Sequence, residues 1–323
     1  MSASPNRILL GVDGGGSKTA ALVASLERVG DGAGQIHILG RGRGGPSNLR
    51  LAGKEQSLAS LDKAVDEALG EANLQGRTVD YAVLALAGSS FSDVRDEVAA
   101  WAQQRKLSLH VEIIHDAQPV LASGADNGRG IALIVGTGSV AVGVNAKGET
   151  ATLGGWGHWF GDKGSGFDLA CKALSAVAEA ADGVGPQTVM SELVLDRLGI
   201  TDPRRILQQV SVTGDVRREV AALAPIVLEA ATLKDSLAIE IISNAIGEAV
   251  KLVAAVAKKL TFKAPYPLML AGGVACSNPL FRDELISRLS RLDPAPDPIR
   301  MVDEPVEGCL KIARNNLGKA ASE

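Results

Sequence analysis

The chain has 323 residues, of which 46% are hydrophobic, 3% aromatic and 22% charged, with a formal net charge of −4 at pH 7. This length allows two ordinary domains, and the composition is typical of an α/β protein. The charge gives no electrostatic reason for binding nucleic acid or an anionic membrane.

The targeting and cysteine signals are those expected of a cytoplasmic enzyme. The first residues do not resemble a signal peptide, and no apolar run reaches the ~18 residues of a membrane span. Cys171, Cys276 and Cys309 form no CxxC motif, so neither a zinc ribbon nor a disulfide framework is indicated. We interpret them as buried free thiols.

A strand, a glycine-rich turn and a second strand open the chain. Apolar residues 7–10 precede the segment GVDGGGSKT at positions 11–19, and residues 20–24 are again apolar. Glycines and hydroxyls in such a turn expose backbone N–H groups, which can bind phosphate. The P-loop is excluded because Ser17, and not a lysine, follows Gly16.

Asp13 lies at the end of the first strand, beside this turn. A carboxylate there would repel phosphate unless it holds Mg²⁺, directly or through water. The alternative is a residue that shapes an Asx-turn. The three glycines that follow favour the metal role.

The next elements alternate between strands and helices. We predict a turn over 31–34, a strand over 35–39, a glycine-rich loop over 41–46, a helix over 53–73 and a strand over 81–86. A helix over 92–106 with Ser92 as N-cap and a strand over 109–114 follow. The loop residues Ser47, Asn48, Leu49 and Ser89 are possible substrate contacts at strand ends.

Asp116 follows the strand over 109–114 and starts a helix. It could be a helix N-cap, which is a common role for Asp at such a junction. It could also be a general base that takes the proton from an attacking hydroxyl. Position alone leaves both interpretations open.

A second strand–turn–strand unit spans residues 131–144, with Gly136-Thr137-Gly138-Ser139 at the turn. The dinucleotide-binding pattern is rejected because this turn opens a strand, where that pattern requires a helix. Two such turns that face each other would bind a nucleotide from both sides. The pair therefore predicts ATP chemistry.

Residues 154–166 form a loop with six glycines, Trp156, Trp159, Phe160 and Asp162. One interpretation is a hydrophobic plug at the domain junction. The other is a small-molecule site, in which glycine N–H groups and Asp162 bind hydroxyls while an aromatic face covers a ring.

The remainder is mainly helical. We predict helices through 167–263, a strand over 267–271 before Gly272 and Gly273, a helix over 279–289, a proline-stiffened connector over 294–298 and a helix over 305–317. The duplicated three-stranded antiparallel element implies two similar α/β domains with a ligand cleft between them.

In this order the motifs resemble the sugar-kinase, actin and heat-shock-chaperone ATPases, and more narrowly the BadF/BadG/BcrA/BcrD ATPase family and its N-acetylglucosamine and glucosamine kinases. The similar segments are 11–19, 47–48, 87–88, 115–117, 136–139, 155–165 and 271–274. The segment Gly-Gly-Trp-Gly…Gly-Asp-x-Gly-Ser is the most specific of them.

The resemblance implies two ribonuclease H-like domains with a nucleotide and sugar cleft between them, one of residues 1–115 with 303–323 and one of 116–302. It implies a kinase for the 6-hydroxyl of N-acetylglucosamine or a close amino sugar, with Asp116 as base, Asp13 at Mg²⁺, and a homodimer. The implied ATP contacts are Gly14, Gly15, Gly16, Ser17, Lys18, Thr19, Thr137, Gly138, Ser139, Gly272 and Gly273. The implied sugar contacts are Asn48, Leu49, Gly88, Asp116, Gly155, Trp156, Gly157 and Asp162.

Other activities fit the same resemblance less well. The substrate could instead be glucosamine or N-acetylmuramic acid. An activator ATPase without a sugar substrate is a further alternative, but it would need a cysteine-held iron–sulfur cluster, and the three cysteines do not lie in a glycine-rich cluster loop.

Overall fold

The computed structural model describes residues 7–27, 34–125, 128–210 and 215–320, with side chains up to residue 317. The chain divides into two compact units, residues 1–128 with 304–323 and residues 129–303. Of the predicted turn over 31–34, residues 31–33 lie outside the described residues.

The first unit contains five strands and five helices within the described ranges. Its strands are β1 (Arg7–Gly14), β2 (Thr19–Glu27), β3 (Gln35–Gly44), β4 (Val79–Leu86) and β5 (Ser108–His115). Its helices are α1 (Leu49–Ala52), α2 (Lys54–Glu71), α3 (Ser92–Gln104), α4 (Ala117–Gly124) and, from the end of the chain, α13 (Val306–Ala320).

The second unit again has five strands in its described part. They are β6 (Gly130–Val135), β7 (Ser139–Val144), β8 (Thr150–Gly154), β9 (Tyr266–Ala271) and β10 (Pro296–Met301). The helices are α5 (Gly166–Asp182), α6 (Met190–Leu198), α7 (Ile206–Gln209), α8 (Val216–Ala221), α9 (Ala224–Thr232), α10 (Ser236–Lys259), α11 (Gly273–Ser277) and α12 (Pro279–Leu289), with a 3₁₀ turn at Pro203–Arg205.

The two sheets have the same topology. The first has the order β3-β2-β1-β4-β5 and the second has the order β8-β7-β6-β9-β10. In each, the first three strands in sequence pair antiparallel, the fourth pairs in parallel with the first, and the fifth pairs in parallel with the fourth. The predicted duplication of a three-stranded antiparallel element is therefore confirmed.

Both faces of the first sheet are covered by helices. Alternate residues of β1 point to opposite faces, as in any strand. Leu10 packs in the cluster formed with α2 and α3, whereas Leu9 packs in the cluster formed with α13. A sheet buried on both faces explains why residues 8–12 of β1 and 81–86 of β4 carry no charged side chain.

The first compact unit extends to residue 128, whereas the sequence prediction divides the domains after residue 115. The difference concerns α4, which packs against α13 within the first unit. Gly308 of α13 allows this contact, because an added Cβ would lie 2.0 Å from the Pro119 carbonyl oxygen.

The segment predicted as a glycine-rich loop over 41–46 is largely strand, since β3 continues to Gly44. Its alternate glycines face the backbone of α2. An added Cβ on Gly42 would lie 1.9 Å from the Ala64 carbonyl oxygen, and Gly40 and Gly44 are equally close to the helix. Glycine here serves close packing of a strand on a helix and does not mark a loop.

Two further local predictions were wrong. Residues 294–298 were predicted as a connector, but from Pro296 the chain forms the strand β10, which pairs with β9 at the edge of the sheet. Proline is tolerated there because an edge strand does not need every N–H donor. Ser92 is the first residue of α3, and the N-cap is Phe91.

The cysteines are all free, but only Cys309 is fully buried, while Cys171 and Cys276 are half-buried. Within the described ranges, none of the helices combines the length and the apolar character that a membrane span requires.

Candidate functional site

The first candidate phosphate turn joins β1 to β2. The Gly15 N–H donates to the Lys18 carbonyl oxygen over 3.0 Å, which closes the turn. Lys18 is exposed. Three of the predicted ligand residues lie at the partly exposed tip: Gly15, Gly16 and Ser17. The turn therefore presents its backbone to solvent, as a phosphate site requires.

Two other residues of this turn are buried and support it from below. Thr19 Oγ1 lies 2.7 Å from the Gly45 carbonyl oxygen and 2.8 Å from Ser47 Oγ. Gly14 has no room for a side chain, because an added Cβ would lie 2.2 Å from Ser47 Oγ. Both residues thus tie the turn to the segment that follows β3.

Asp13 is the next-to-last residue of β1, paired with Ala20 on β2 and Ala85 on β4. Burial and the nearby Asp116 carboxylate raise its pKa to about 7, against the opposing effect of Lys18. Because Asp13 is a strand residue and not a turn residue, its position does not fit an Asx-turn. Two nearby carboxylates that repel each other are a good environment for a cation.

Asp116 lies at the same edge of the sheet, one residue after β5. The parallel strands β1, β4 and β5 bring their carboxyl ends together, with Asp13 opposite Ala85 and Ala85 opposite Ile114. Asp116 occupies the N-cap position of α4, but its side chain makes no capping hydrogen bond in the described part of the chain. Its carboxylate therefore remains available for chemistry.

His115 is the partner of the Asp116 side chain. Its Nδ1 atom lies 2.9 Å from Asp116 Oδ1, and the hydrogen bond to Asp116 raises the histidine pKa against the effect of burial. The Ala117 N–H also points at Nδ1, over 3.2 Å. One nitrogen cannot donate to the carboxylate and accept from the amide at once, so protonated His115 holds Asp116 and neutral His115 can release it.

Asn48 and Gly88 are brought together in the first unit. Asn48 caps α1, since its Oδ1 accepts the Arg50 N–H over 3.1 Å. Gly88 has φ of +89°, and an added Cβ would lie 3.3 Å from the same Oδ1. The Asn48 Nδ2 donor has no partner among the described residues and remains free for a ligand. Leu49, by contrast, is a core residue packed with α2.

The second candidate phosphate turn joins β6 to β7. The Gly136 N–H donates to the Gly138 carbonyl oxygen over 2.9 Å. The start of α5 contacts this turn, since the Gly166 N–H donates to the Gly136 carbonyl oxygen over 2.7 Å. Thr137 and Gly138 are half-buried at the tip of the turn.

Ser139 has a mainly internal role. Its N–H donates to Asp162 Oδ1 over 3.1 Å, and its hydroxyl donates to the Lys163 carbonyl oxygen over 2.9 Å. Both of its donors are therefore used to hold the Trp156 loop, residues 154–166, against the second turn.

Asp162 is almost completely buried, at 4% exposed. Its Oδ1 accepts from Ser139, and its Oδ2 lies 3.0 Å from Arg217 Nη2. Its backbone is strained, with φ of +54°, which a non-glycine residue adopts only when its surroundings require it. The carboxylate thus connects three segments, and neither oxygen is unpartnered.

The aromatic side chains of the Trp156 loop are exposed. Trp156 is 76%, Trp159 81% and Phe160 86% exposed, so they are not part of a hydrophobic core. Gly155 and Gly157 have φ of +70° and +80°, which a side chain would disfavour. The Gly155 N–H donates to the Ser139 carbonyl oxygen over 2.9 Å, so the loop starts directly beside the second turn.

Gly272 and Gly273 also adjoin the second turn. Gly272 has φ of +96°, and an added Cβ would lie 2.4 Å from the Val135 carbonyl oxygen and 2.9 Å from the Gly136 N atom. Gly273 begins α11 and has open space where a side chain would be. These glycines keep the approach to the turn free of side chains.

The donors that could hold a metal ion are few. Within the described ranges, no group of three or more His, Cys, Asp or Glu side chains is placed to bind one. Mg²⁺ does not need such a group, because it commonly binds through one or two carboxylates, waters and substrate phosphates. The oxygen donors of Asp13 and Asp116 fit that mode.

Two contacts in these sites had no signal in the sequence. Arg217 lies in a polar run after residue 214 that matches no motif, and only folding brings it to Asp162. His115 has no role of its own in the sequence analysis, whereas in the structure it contacts Asp116. Adjacency to Asp116 was a possible clue, although neighbouring side chains on a strand normally point to opposite faces.

Comparison with known proteins identifies the family. The model of the BadF/BadG/BcrA/BcrD ATPase family matches residues 10–299, and the chain belongs to that family. The predicted resemblance and the predicted α/β fold class are thereby confirmed.

Individual relatives cover nearly the whole chain. An N-acetylmuramic acid/N-acetylglucosamine kinase from Clostridium acetobutylicum is 28% identical over 96% of this chain and 99% of its own length. An N-acetyl-D-glucosamine kinase from Dictyostelium discoideum is 27% identical over 96% of this chain and 98% of its own length. The crystal structure of a protein from Chromobacterium violaceum, assigned as an N-acetylglucosamine kinase, has a TM-score of 0.70. Its sequence is 26% identical over 94% of this chain and 98% of its own chain.

Proposed function

We propose that this protein is an ATP-dependent hexosamine kinase, which transfers the γ-phosphoryl group of ATP to the 6-hydroxyl of N-acetylglucosamine or a close amino sugar. The family membership and the names of the relatives support the reaction class. The observation that carries the proposal is Asp116, a carboxylate at the strand edge that makes no capping bond and lies near Asp13.

Asp116 would be the general base. An ionised carboxylate accepts the proton of the sugar hydroxyl as the hydroxyl oxygen attacks phosphorus, and Asp116 then carries that proton. His115 supports this role, because its Nδ1 orients one carboxylate oxygen and leaves the other free for the sugar hydroxyl.

The two glycine turns would bind the phosphates of ATP. In the first unit the backbone at Gly16 and Ser17 would face the phosphates, with the exposed Lys18 beside it. In the second unit Thr137 and Gly138 do the same, and the free approach at Gly272 and Gly273 suits the adenosine.

Asp13 would hold Mg²⁺. Bound there, the ion would neutralise phosphate charge, which Asp13 alone would repel. The raised pKa of Asp13 supports this assignment, because a carboxylate that resists ionisation on its own is stabilised as the anion by a cation.

Sugar contacts are proposed within each unit separately. Asn48 offers its Nδ2 donor beside Gly88, and the Trp156 loop offers an exposed indole whose face can cover a pyranose ring. Asp162 supports the loop, since both of its oxygens are engaged. Glucosamine and N-acetylmuramic acid are the alternative substrates.

Two further proposals follow from the resemblance, a cytoplasmic location and a homodimer. Light scattering of the purified protein would test the second.

The base assignment is tested by Asp116→Asn. We expect this variant to lose turnover by about 10²–10⁴-fold while ADP binding is kept, because the change removes a base and leaves both turns intact. The measurement is ADP release from Mg·ATP with N-acetylglucosamine, together with calorimetric ADP binding. Asp96→Asn, on the exposed side of α3, makes the same chemical change and is the control. It should keep both turnover and ADP binding. Near-normal turnover of Asp116→Asn would exclude Asp116 as the base.

A further inference from the structure

The second phosphate turn is contacted by a cation from a separate segment. Arg217, in α8, places its Nη2 atom 3.0 Å from Asp162 Oδ2. An added Cβ on Gly138 would lie 2.9 Å from this Nη2 and from both Asp162 oxygens. The guanidinium therefore packs directly against the tip of the turn.

The turn has lost one donor to Asp162. The Ser139 N–H, which could otherwise face a phosphate, donates to Asp162 Oδ1. A carboxylate this close to a phosphate site would repel the ligand unless it is neutralised. Arg217 supplies that neutralisation, since the carboxylate is buried and Arg217 is only 18% exposed.

The guanidinium has donors left over. It carries five N–H groups, and the bond to Asp162 uses only the Nη2 side. Nε is buried and has no hydrogen-bond partner in the described part of the chain. A buried donor without a partner destabilises the resting state and favours a small shift that brings an acceptor within reach.

We infer that Arg217 is a phosphate-binding residue, which contacts the phosphate oxygens of the nucleotide seated on the second turn. Guanidinium groups suit this role because their fixed fork of donors matches phosphate oxygens. Asp162 would then orient Arg217 and also fix the turn beside it. This inference deepens the proposed function and rests on its ATP-binding part, but not on the identity of the sugar.

The test compares the binding of ADP with that of adenosine, in the full-length protein. Arg217→Gln should weaken ADP binding by about ten- to hundredfold and leave adenosine binding unchanged, because only ADP carries the charged oxygens. Arg217→Lys keeps the positive charge but not the fork, and should bind ADP with intermediate affinity. Both dissociation constants are measured by calorimetric titration or competition.

Arg218→Gln is the matched control. It removes the same charge from the neighbouring, exposed residue and should bind ADP like the wild type. Urea unfolding of each variant establishes that it is folded. If Arg217→Gln does not fold, the comparison of ADP with adenosine binding is made with Arg217→Lys.

Three outcomes would overturn the inference. Equal ADP binding by the wild type and the Arg217 variants would show that the guanidinium does not reach phosphate. Equal losses for ADP and adenosine would assign Arg217 a purely structural role. A wild type that binds no ADP would instead overturn the proposed function, and the inference with it.

Discussion

At the scale of single residues, the Asp13 carboxylate carries a cost to stability. Its folded pKa is about 7, raised from 3.8 mainly by burial and then by Asp116. The native state therefore binds more protons than the unfolded state between about pH 4 and pH 7. It follows that the stability contributed by protonated Asp13 is fully present below pH 4 and is lost as the pH rises through 7.

Asp13→Asn should stabilise the protein above pH 7 in EDTA without nucleotide, by up to about 4 kcal/mol, because the buried charge is removed. The gain should vanish below pH 4, where the wild-type carboxyl is also neutral. Urea unfolding at pH 4 and pH 8 measures it, with Asp96→Asn as an exposed control. A variant that is less stable at pH 8, or a difference independent of pH, would contradict the burial of this charge.

The residue scale also limits what a sequence can reveal about the site. Motifs located Asp13, Asp116 and both turns, because these residues follow strands at recognisable spacings. They did not separate residues at the exposed tips of the turns from residues whose side chains are buried. Thr19, Leu49 and Ser139 belong to the same short segments as the ligand candidates, yet their side chains are buried, and only packing distinguishes them.

At the scale of elements, β3 and α2 are joined by unusually close packing. Gly40, Gly42 and Gly44 alternate along the strand, and each would place a Cβ within about 2 Å of a helix carbonyl oxygen. Sequence favoured a loop here because glycine and proline are the usual signals of a loop. The strand was not recognisable from sequence because its glycines are needed for close packing against α2, a helix that lies about twenty residues later in the chain.

Gly42→Ala should destabilise the protein by about 1–3 kcal/mol, because the added methyl group meets the Ala64 carbonyl oxygen, which belongs to backbone and cannot rotate away. Gly70→Ala, in α2, is the matched control. Its nearest neighbour is a side-chain atom 3.6 Å away, and alanine in a helix should stabilise by about 0.5–1 kcal/mol. Urea unfolding compares the two. A neutral Gly42→Ala would show that β3 does not pack as closely as described.

The other errors in the elements have a similar origin. β10 contains two of the three prolines in its neighbourhood and would not be chosen as a strand on composition, but it lies at a sheet edge and pairs only with β9. Long, regularly patterned elements such as α2, β9 and α12 were predicted within about two residues, because hydrophobic period and turn residues agree there.

At the scale of the whole molecule, the repeated topology is the feature that sequence predicted best. The order of strands is the same in both units, and each unit carries one glycine turn between the first two strands of its antiparallel element. The duplication was visible in the sequence because the backbone geometry of such a turn requires glycine. A helix surface, by contrast, accepts many residue types. The boundary between the units was displaced, because α4 and α13 are far apart in sequence and pack together only in the folded chain.

The roles proposed for Asp13, Asp116 and the Trp156 loop depend on hexosamine kinase activity. The most direct test is ADP release from Mg·ATP by the purified protein, measured with N-acetylglucosamine, glucosamine, N-acetylmuramic acid, glucose and no sugar. We predict strong stimulation by at least one of the amino sugars and little by glucose, with a sugar phosphate formed in step with ADP. Slow ADP release that no sugar changes would contradict the account and would indicate a nucleotide switch that acts on a protein partner.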